Sequence, residues 1–178
     1  MRSGSADDID AVLREHGQAV WRLVVRLVGN DGPDAADCFQ QAFVEFASLH
    51  RGGGIRQSGA LLKRIAAARS IDAVRRRMRE RRRAGELDVG LISTGREFEP
   101  DAQAEASEFL ELLREALAEL PEPQSAAFVL TQIEELSGGE AAAAIDVTVN
   151  HLGVLLHRAR TALQARFEAY KPTREFKP

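Results

Sequence analysis

Ten cations fall between residues 63 and 83, namely Lys63, Arg64, Arg69, Arg75, Arg76, Arg77, Arg79, Arg81, Arg82 and Arg83, opposed only by Asp72 and Glu80. Eight net positive charges on one short segment make a field suited to a polyanion. Leu61, Leu62, Ile65, Ala66, Ile71 and Val74 recur on helical spacings through the same stretch, so the cations belong to a helix with an apolar anchor. Arg64, Arg75 and Arg82 stand eleven and seven residues apart, which returns each to nearly the same azimuth and would let them follow one phosphate backbone. Contacts of that kind position a protein without reading sequence and weaken steeply with salt. A solvated, arginine-rich helix end leading into a linker explains the same run.

Other chemistry has little to work with. Cys38 is the sole cysteine, which excludes an internal disulfide and a cysteine-based zinc site. His16, His50, His151 and His157 fall at no recognisable ligand spacing. There is no pairing of nucleophile and base and no phosphate loop, and Ser137-Gly138-Gly139-Glu140 has capping-box spacing. An enzyme, a metal site and a bound cofactor are therefore not expected. No apolar run is long enough to cross a bilayer and the start, MRSGSADDID, has no signal-peptide core, so the expectation is a cytoplasmic protein without membrane insertion.

The elements that must position the cations read as helices throughout. Phe (8) outnumbers Trp (1) and Tyr (1), and long β-branched alternations are absent. Ser5 can cap a first helix whose stripe is Ile9, Val12, Leu13, Val20, Leu23, Val24 and Leu27, ended by Gly29 and the turn Asn30-Asp31-Gly32-Pro33. A second helix, from about Asp34 to Leu49, buries Ala36, Phe39, Ala42, Phe43, Phe46 and Ala47 and keeps Asp37, Gln41 and Glu45 on a polar side. The glycine-rich stretch His50–Gly59 separates it from the basic helix. Residues 6–83 thus form one predicted domain. Residues 84–106 read as a flexible linker punctuated by Gly85, Gly90, Gly95 and Pro100. Residues 107–171 form a second domain, with a helix through Leu110, Leu113, Leu117 and Leu120, another over about Gln124 to Leu136, and a short one capped by Ser137. After the corner Asp146-Val147, Thr148 caps a last helix with Leu152, Leu156, Ala159 and Leu163 inward. A short helix, a tight corner and a longer helix outline a helix-turn-helix, although an ordinary αα-hairpin fits the same lengths. The fold class expected is all-α: two small helical domains joined by a flexible acidic linker, the second containing a helix-turn-helix. Net charge is −3, yet residues 86–122 hold eleven acids against Arg96 and Arg114, so the two signs are segregated along the chain.

Two separated segments resemble one family, the bacterial RNA polymerase sigma factors, most closely the extracytoplasmic-function (ECF) group. Asp37-Cys38-Phe39-Gln40-Gln41-Ala42-Phe43 is similar to the family's D-x-x-Q-E-x-F helix. Leu62-x-Arg64-Ile65-Ala66 and Ile71-Asp72, followed by arginines, resemble W-L-x-R-I-A-R-N-x-x-I-D-x-x-R-R. Leu120-Pro121 and Leu156-His157-Arg158-Ala159-Arg160 resemble the family's L-P and L-H-R-A-R. The resemblance implies a factor that binds core RNA polymerase and directs promoter recognition and melting. Asp37, Gln40, Gln41 and Glu45 would dock on the β′ clamp helices. Lys63, Arg64, Arg69, Arg75, Arg76, Arg77, Arg79 and Arg82 would contact DNA at the −10 element. Thr148, Asn150, His151, His157, Arg158 and Arg160 would contact the −35 element. The partners implied are core polymerase (β′ clamp helices and β flap), promoter DNA and an anti-sigma factor, with no cofactor because the polymerase does the chemistry. The loop His50–Gly59 stands where the family captures a flipped base, and the acidic connector suits a basic polymerase channel.

Departures from the pattern carry their own expectations. The family's tryptophan is Leu61, its arginine and asparagine near melted DNA are Ala67 and Ala68, and its docking acid is Gln41. Where the family has V-K-S-R-L the chain reads Leu152-Gly153-Val154-Leu155-Leu156, which would leave Gly153, Val154 and Leu155 on the groove-reading face. Either the −35 element is read through thymine methyls, or this face meets a protein; Leu155→Arg would then strengthen duplex binding. The alternative function is a sigma-like helical adaptor whose DNA readout has decayed and which binds a protein partner.

Overall fold

A computed structural model describes residues 4–29, 32–50, 57–84 and 102–169. Residues 51–56, most of the loop expected to capture a base, and 85–101, most of the expected linker, lie outside the described residues. Among those described there are helices and turns and no strand.

Helix α1 spans Gly4–Val28, which places Ser5 inside the first turn and not at its cap. It ends where Gly29 takes φ +97° and its N–H reaches Val25 O at 2.8 Å, a left-handed C-terminal stop that glycine makes at no steric cost. Helix α2 spans Pro33–His50 and helix α3 spans Ser58–Arg83. The twenty-six residues of α3 make a rod about 39 Å long. Its apolar start packs with α1 and α2 around Val20, Val24, Ala42, Phe46, Leu62 and Ile65. Trp21 meets Phe39 edge-on at 5.6 Å on the flank of this core. Gly59 is fixed by packing, because a Cβ there would lie 2.8 Å from the His16 ring. Cys38 is buried in the same core, and burial is the main reason its thiol pKa is raised. It is a small core residue rather than a reactive thiol.

Helix α4 spans Ala102–Glu119, starting five residues before the expected Ser107 and so taking up the end of the predicted linker. Pro121 precedes α5, Glu122–Phe128. The helix expected to run on to Leu136 instead widens into a π-helical turn, Val129–Ile133, closed by the Glu134 N–H on Val129 O at 3.0 Å. Glu135 then takes φ +53°. Helix α6 spans Gly138–Ala144 and α7 spans Val149–Ala169. Asp146, at φ +55°, makes the corner between them, and Thr148 Oγ1 accepts the His151 N–H at 3.2 Å as the N-cap of α7. The expected capping box is present: Ser137 Oγ accepts the Glu140 N–H at 3.3 Å while Glu140 Oε2 accepts the Ser137 N–H at 3.0 Å.

The Ser137 hydroxyl, and secondarily its N–H, holds the Glu140 carboxyl below its ordinary value of 4.5. A depressed carboxylate stabilises the fold above its ordinary value, and the contribution is lost as pH falls through the lowered one. Ser137→Ala is expected to cost about 1 kcal/mol of stability near neutral pH. It should also flatten the acid limb of a thermal-midpoint profile.

The two halves of the chain share an apolar seam. Leu23 and Leu27 of α1 and Ala67, Ile71 and Val74 of α3 cluster with Ala116, Leu117, Leu120, Val129, Ala159 and Leu163 of the second half. A third cluster gathers Leu130, Ala141, Ala142, Ala144, Leu152 and Leu155 around the α6–α7 corner.

Candidate nucleic-acid interface

The basic helix holds its cations in three different situations. Some serve the first half itself. Arg69 pairs with Glu45, Arg76 Nη2 lies 3.6 Å from Asp34, and Arg77 Nη2 donates to Val28 O at 2.7 Å, satisfying a carbonyl at the end of α1. Others reach across the seam. Lys63 Nζ meets Glu134 at 2.8 Å, with both side chains largely sheltered. Arg75 donates through Nε to Ala118 O at 2.7 Å and through Nη2 to Leu120 O at 2.6 Å. These are carbonyls at the C-terminal end of α4, where a cation is favoured by the helix dipole as well as by the bonds. Arg81 lies 3.4 Å from Glu115, and Arg82 lies 3.9 Å from Glu119. Burial, then the neighbouring Glu111, raises the Glu115 pKa against the pull of Arg81 and Arg166.

The third group is open. Arg79 and Arg83 are exposed and have no hydrogen-bond or ion-pair partner among the described residues. Arg64 is half-buried, with its Nε buried and unbonded. The row expected of Arg64, Arg75 and Arg82 therefore does not form one solvent-facing track. Arg75 and Arg82 do share a direction, and α4 occupies it. The carboxylates of Glu115 and Glu119, expected to be connector or solvated helix face, are turned onto α3.

On α2, Asp37, Gln40 and Gln41 are exposed beside Val44, which is 68% exposed. Glu45 differs from them, because its carboxylate is committed to Arg69.

On α7 the outward face is Asn150, Gly153, Val154, His157, Arg158 and Thr161, all exposed and spaced as one helical side. His151 and Thr148 border it, and Arg160 is exposed while donating to Gln132 Oε1 at 3.1 Å. Leu155 is not on this face. It is 5% exposed and packs in the α6–α7 cluster, which corrects the expectation that it would reach a groove. The inward stripe is Leu152, Leu155, Ala159 and Leu163, with Leu156 half-buried. Nothing lies within 4 Å of a Cβ built at Gly153, so protein packing does not require that glycine. No acidic residue occurs from 147 to 167, so the face is locally cationic despite the net charge of −3.

Among the described residues no group of His, Cys, Asp and Glu is placed to hold a metal ion, and no helix is long and apolar enough to cross a membrane.

Residues 110–163, which include α5, α6 and the outward face of α7, match the family model described as sigma-70, region 4. The ECF RNA polymerase sigma factor SigE of Mycolicibacterium smegmatis is 33% identical over 159 residues, 87% of this chain. Over most of its length the chain is similar to the extracytoplasmic-function sigma factors. It spans 60% of the length of SigE. The sigma-factor fold is shared with the sigma factor RpoE of Bartonella quintana, solved with the anti-sigma factor NepR, at a TM-score of 0.51 and 18% identity over 92% of this chain and 99% of that one. It is also shared with CnrH, solved with the cytosolic domain of CnrY, at a TM-score of 0.56 and 24% identity over 95% and 93% of the two chains.

Proposed function

We propose that the chain joins core RNA polymerase and directs it to promoters, with α3 holding opened DNA, α2 docking on the enzyme and α7 reading upstream duplex. The observation that carries this reading is the cationic α3 rod in a chain whose likeness to an ECF sigma factor runs over both halves. Phosphate contacts fall to the cations of α3, and of these Arg79 and Arg83 are available without any rearrangement. Asp37, Gln40 and Gln41, with the exposed Val44 among them, offer the β′ clamp helices a polar surface with an apolar centre. RpoE, which shares the fold, was solved with an anti-sigma factor, and a regulator of that class is the protein partner proposed here. The test is co-elution of the purified chain with core polymerase; a chain that elutes alone at every ratio contradicts the reading.

The face of α7 suits a major groove. Asn150 has the paired donor and acceptor that match adenine, His157 and Arg158 supply donors for guanine or phosphate, and Val154 suits a thymine methyl. Gly153 removes the side chain that would hold the helix axis back from base edges. The adaptor alternative draws on an exposed Gly-Val-Leu patch, and with Leu155 inward that patch shrinks to Val154, 44% exposed, and Val149. Replacing the contacted thymines of a bound upstream duplex by uracil should weaken binding about fourfold per methyl lost. Equal affinity for both duplexes would rule out the methyl contact.

A further inference from the structure

The arginines of α7 are held in different ways. Arg158 is exposed with no bond or ion pair among the described residues, and Arg166 Nε lies 3.4 Å from a Glu119 carboxylate oxygen. Arg160 is exposed and forms no ion pair among the described residues, yet its Nη2 donates to Gln132 Oε1 at 3.1 Å. Gln132 is itself held, because its Nε2 donates to Thr131 Oγ1 at 3.2 Å and the Thr131 hydroxyl donates to Ala127 O at 2.8 Å. The polarity of this chain of bonds is forced. A guanidinium carries donors only, so the amide must turn its oxygen to Arg160 and its NH2 to Thr131, whose one proton is committed to Ala127. A guanidinium on α7 is thus tied to the backbone of α5 through groups that carry no negative charge. Thr131 and Gln132 both belong to the π-helical turn Val129–Ile133, and such turns are frequent at functional sites.

The position of Arg160 on the helix says what the guanidinium is held for. Arg160 follows the exposed Gly153 by seven residues, which returns it to within about 20° of the same azimuth and about 10 Å further along the axis. A major groove is about 12 Å wide, so a side chain that far from the groove-reading residues stands over the sugar–phosphate edge rather than over bases. We propose that Gln132, with Thr131 behind it, is a positioning residue: a neutral bracket that points the Arg160 fork at a backbone phosphate flanking the upstream site and leaves its charge free. The proposal rests on the reading of α7 as the helix that meets upstream duplex. A carboxylate at residue 132 would hold the fork equally well and compete with the phosphate for it. The amide orders the side chain without that competition, so less freedom is lost when the phosphate arrives.

Variants of the full chain test this with one probe, a short fluorescent duplex of mixed sequence, titrated over a series of salt concentrations. A phosphate contact reads no sequence, so this probe suffices. Arg160→Gln is expected to weaken binding about fivefold near physiological salt and to flatten the slope of log K against log salt by about 0.9. Gln132→Glu, nearly isosteric, should do almost the same while the melting midpoint stays in place. Gln132→Ala should weaken binding about threefold in the parent chain and have no effect in the Arg160→Gln background. An equal loss in both backgrounds makes Gln132 merely structural, and no loss in either makes its hydrogen bond idle; each overturns the proposal. Parental affinity and slope in Gln132→Glu overturn it as well, because the bracket then need not be neutral. If Arg160→Gln itself changes neither affinity nor slope, the assignment of α7 to duplex fails, and the bracket with it.

Discussion

Leu155→Arg is expected to destabilise the second half by about 4 kcal/mol, while Val154→Arg, one residue earlier, should change stability by no more than about 0.5 kcal/mol. Leu155 is 5% exposed among Leu130, Ala141, Ala142, Ala144 and Leu152, so a guanidinium there would lose its water and find only aliphatic neighbours. Val154 is 44% exposed on the outward side of α7, where an added cation stays solvated. In a thermal melt the first substitution should lower the midpoint by roughly 10 °C and the second should leave it in place. The gain in duplex affinity that sequence alone assigned to Leu155→Arg belongs to Val154→Arg, since that side chain projects from the face carrying Asn150, His157 and Arg158. Equal melting curves for the two variants would mean that α7 is rotated from the position described.

Arg79→Glu/Arg83→Glu should reduce run-off transcription by core polymerase and the chain roughly tenfold or more, with only a small loss of thermal stability. Both arginines are exposed without a partner among the described residues, so reversing them breaks no bond, and the remaining cost is that of an anion in the last turn of α3. Arg77→Gln makes the contrast. Arg77 donates to Val28 O at the end of α1, and its loss should appear first as a lower melting midpoint. The salt dependence of DNA binding discriminates further, because each lost phosphate contact flattens the slope of log K against log salt by about 0.7 for a single strand. A double reversal that leaves transcript yield and salt slope unchanged would remove α3 from the DNA-binding surface.

Much of this architecture is written in local patterns. The glycine stop at Gly29, the Ser137–Glu140 box and the Thr148 cap depend on neighbours within a turn or two, and the structure has them where spacing puts them. The stripes of α1 and α2 hold in part: Leu13 is 41% exposed, and Ala35 and Cys38 are buried with Ala42 and Phe46 while Ala36, Phe39, Phe43 and Ala47 are half-buried. Leu155 was legible too: Leu152, Leu155, Ala159 and Leu163 follow an inward spacing of three and four. The family pattern, with arginine at that position, points the other way from the local period. The π-helical turn left no such signal, since Val129, Leu130 and Ile133 suit an ordinary helix equally well. The seam was illegible for a different reason. Segregated blocks of opposite charge were plain in the sequence, yet whether Lys63 meets Glu134 or solvent depends on how the two halves pack, which no local rule encodes. The same holds for Arg75, whose partners are backbone carbonyls that carry no residue identity.

Mapping transcript 5′ ends made by core polymerase on fragmented genomic DNA, with and without the chain, bears most directly on the assigned role. The chain should create a discrete set of start sites that disappear with Arg79→Glu/Arg83→Glu. Start sites identical to those of core polymerase alone would contradict it.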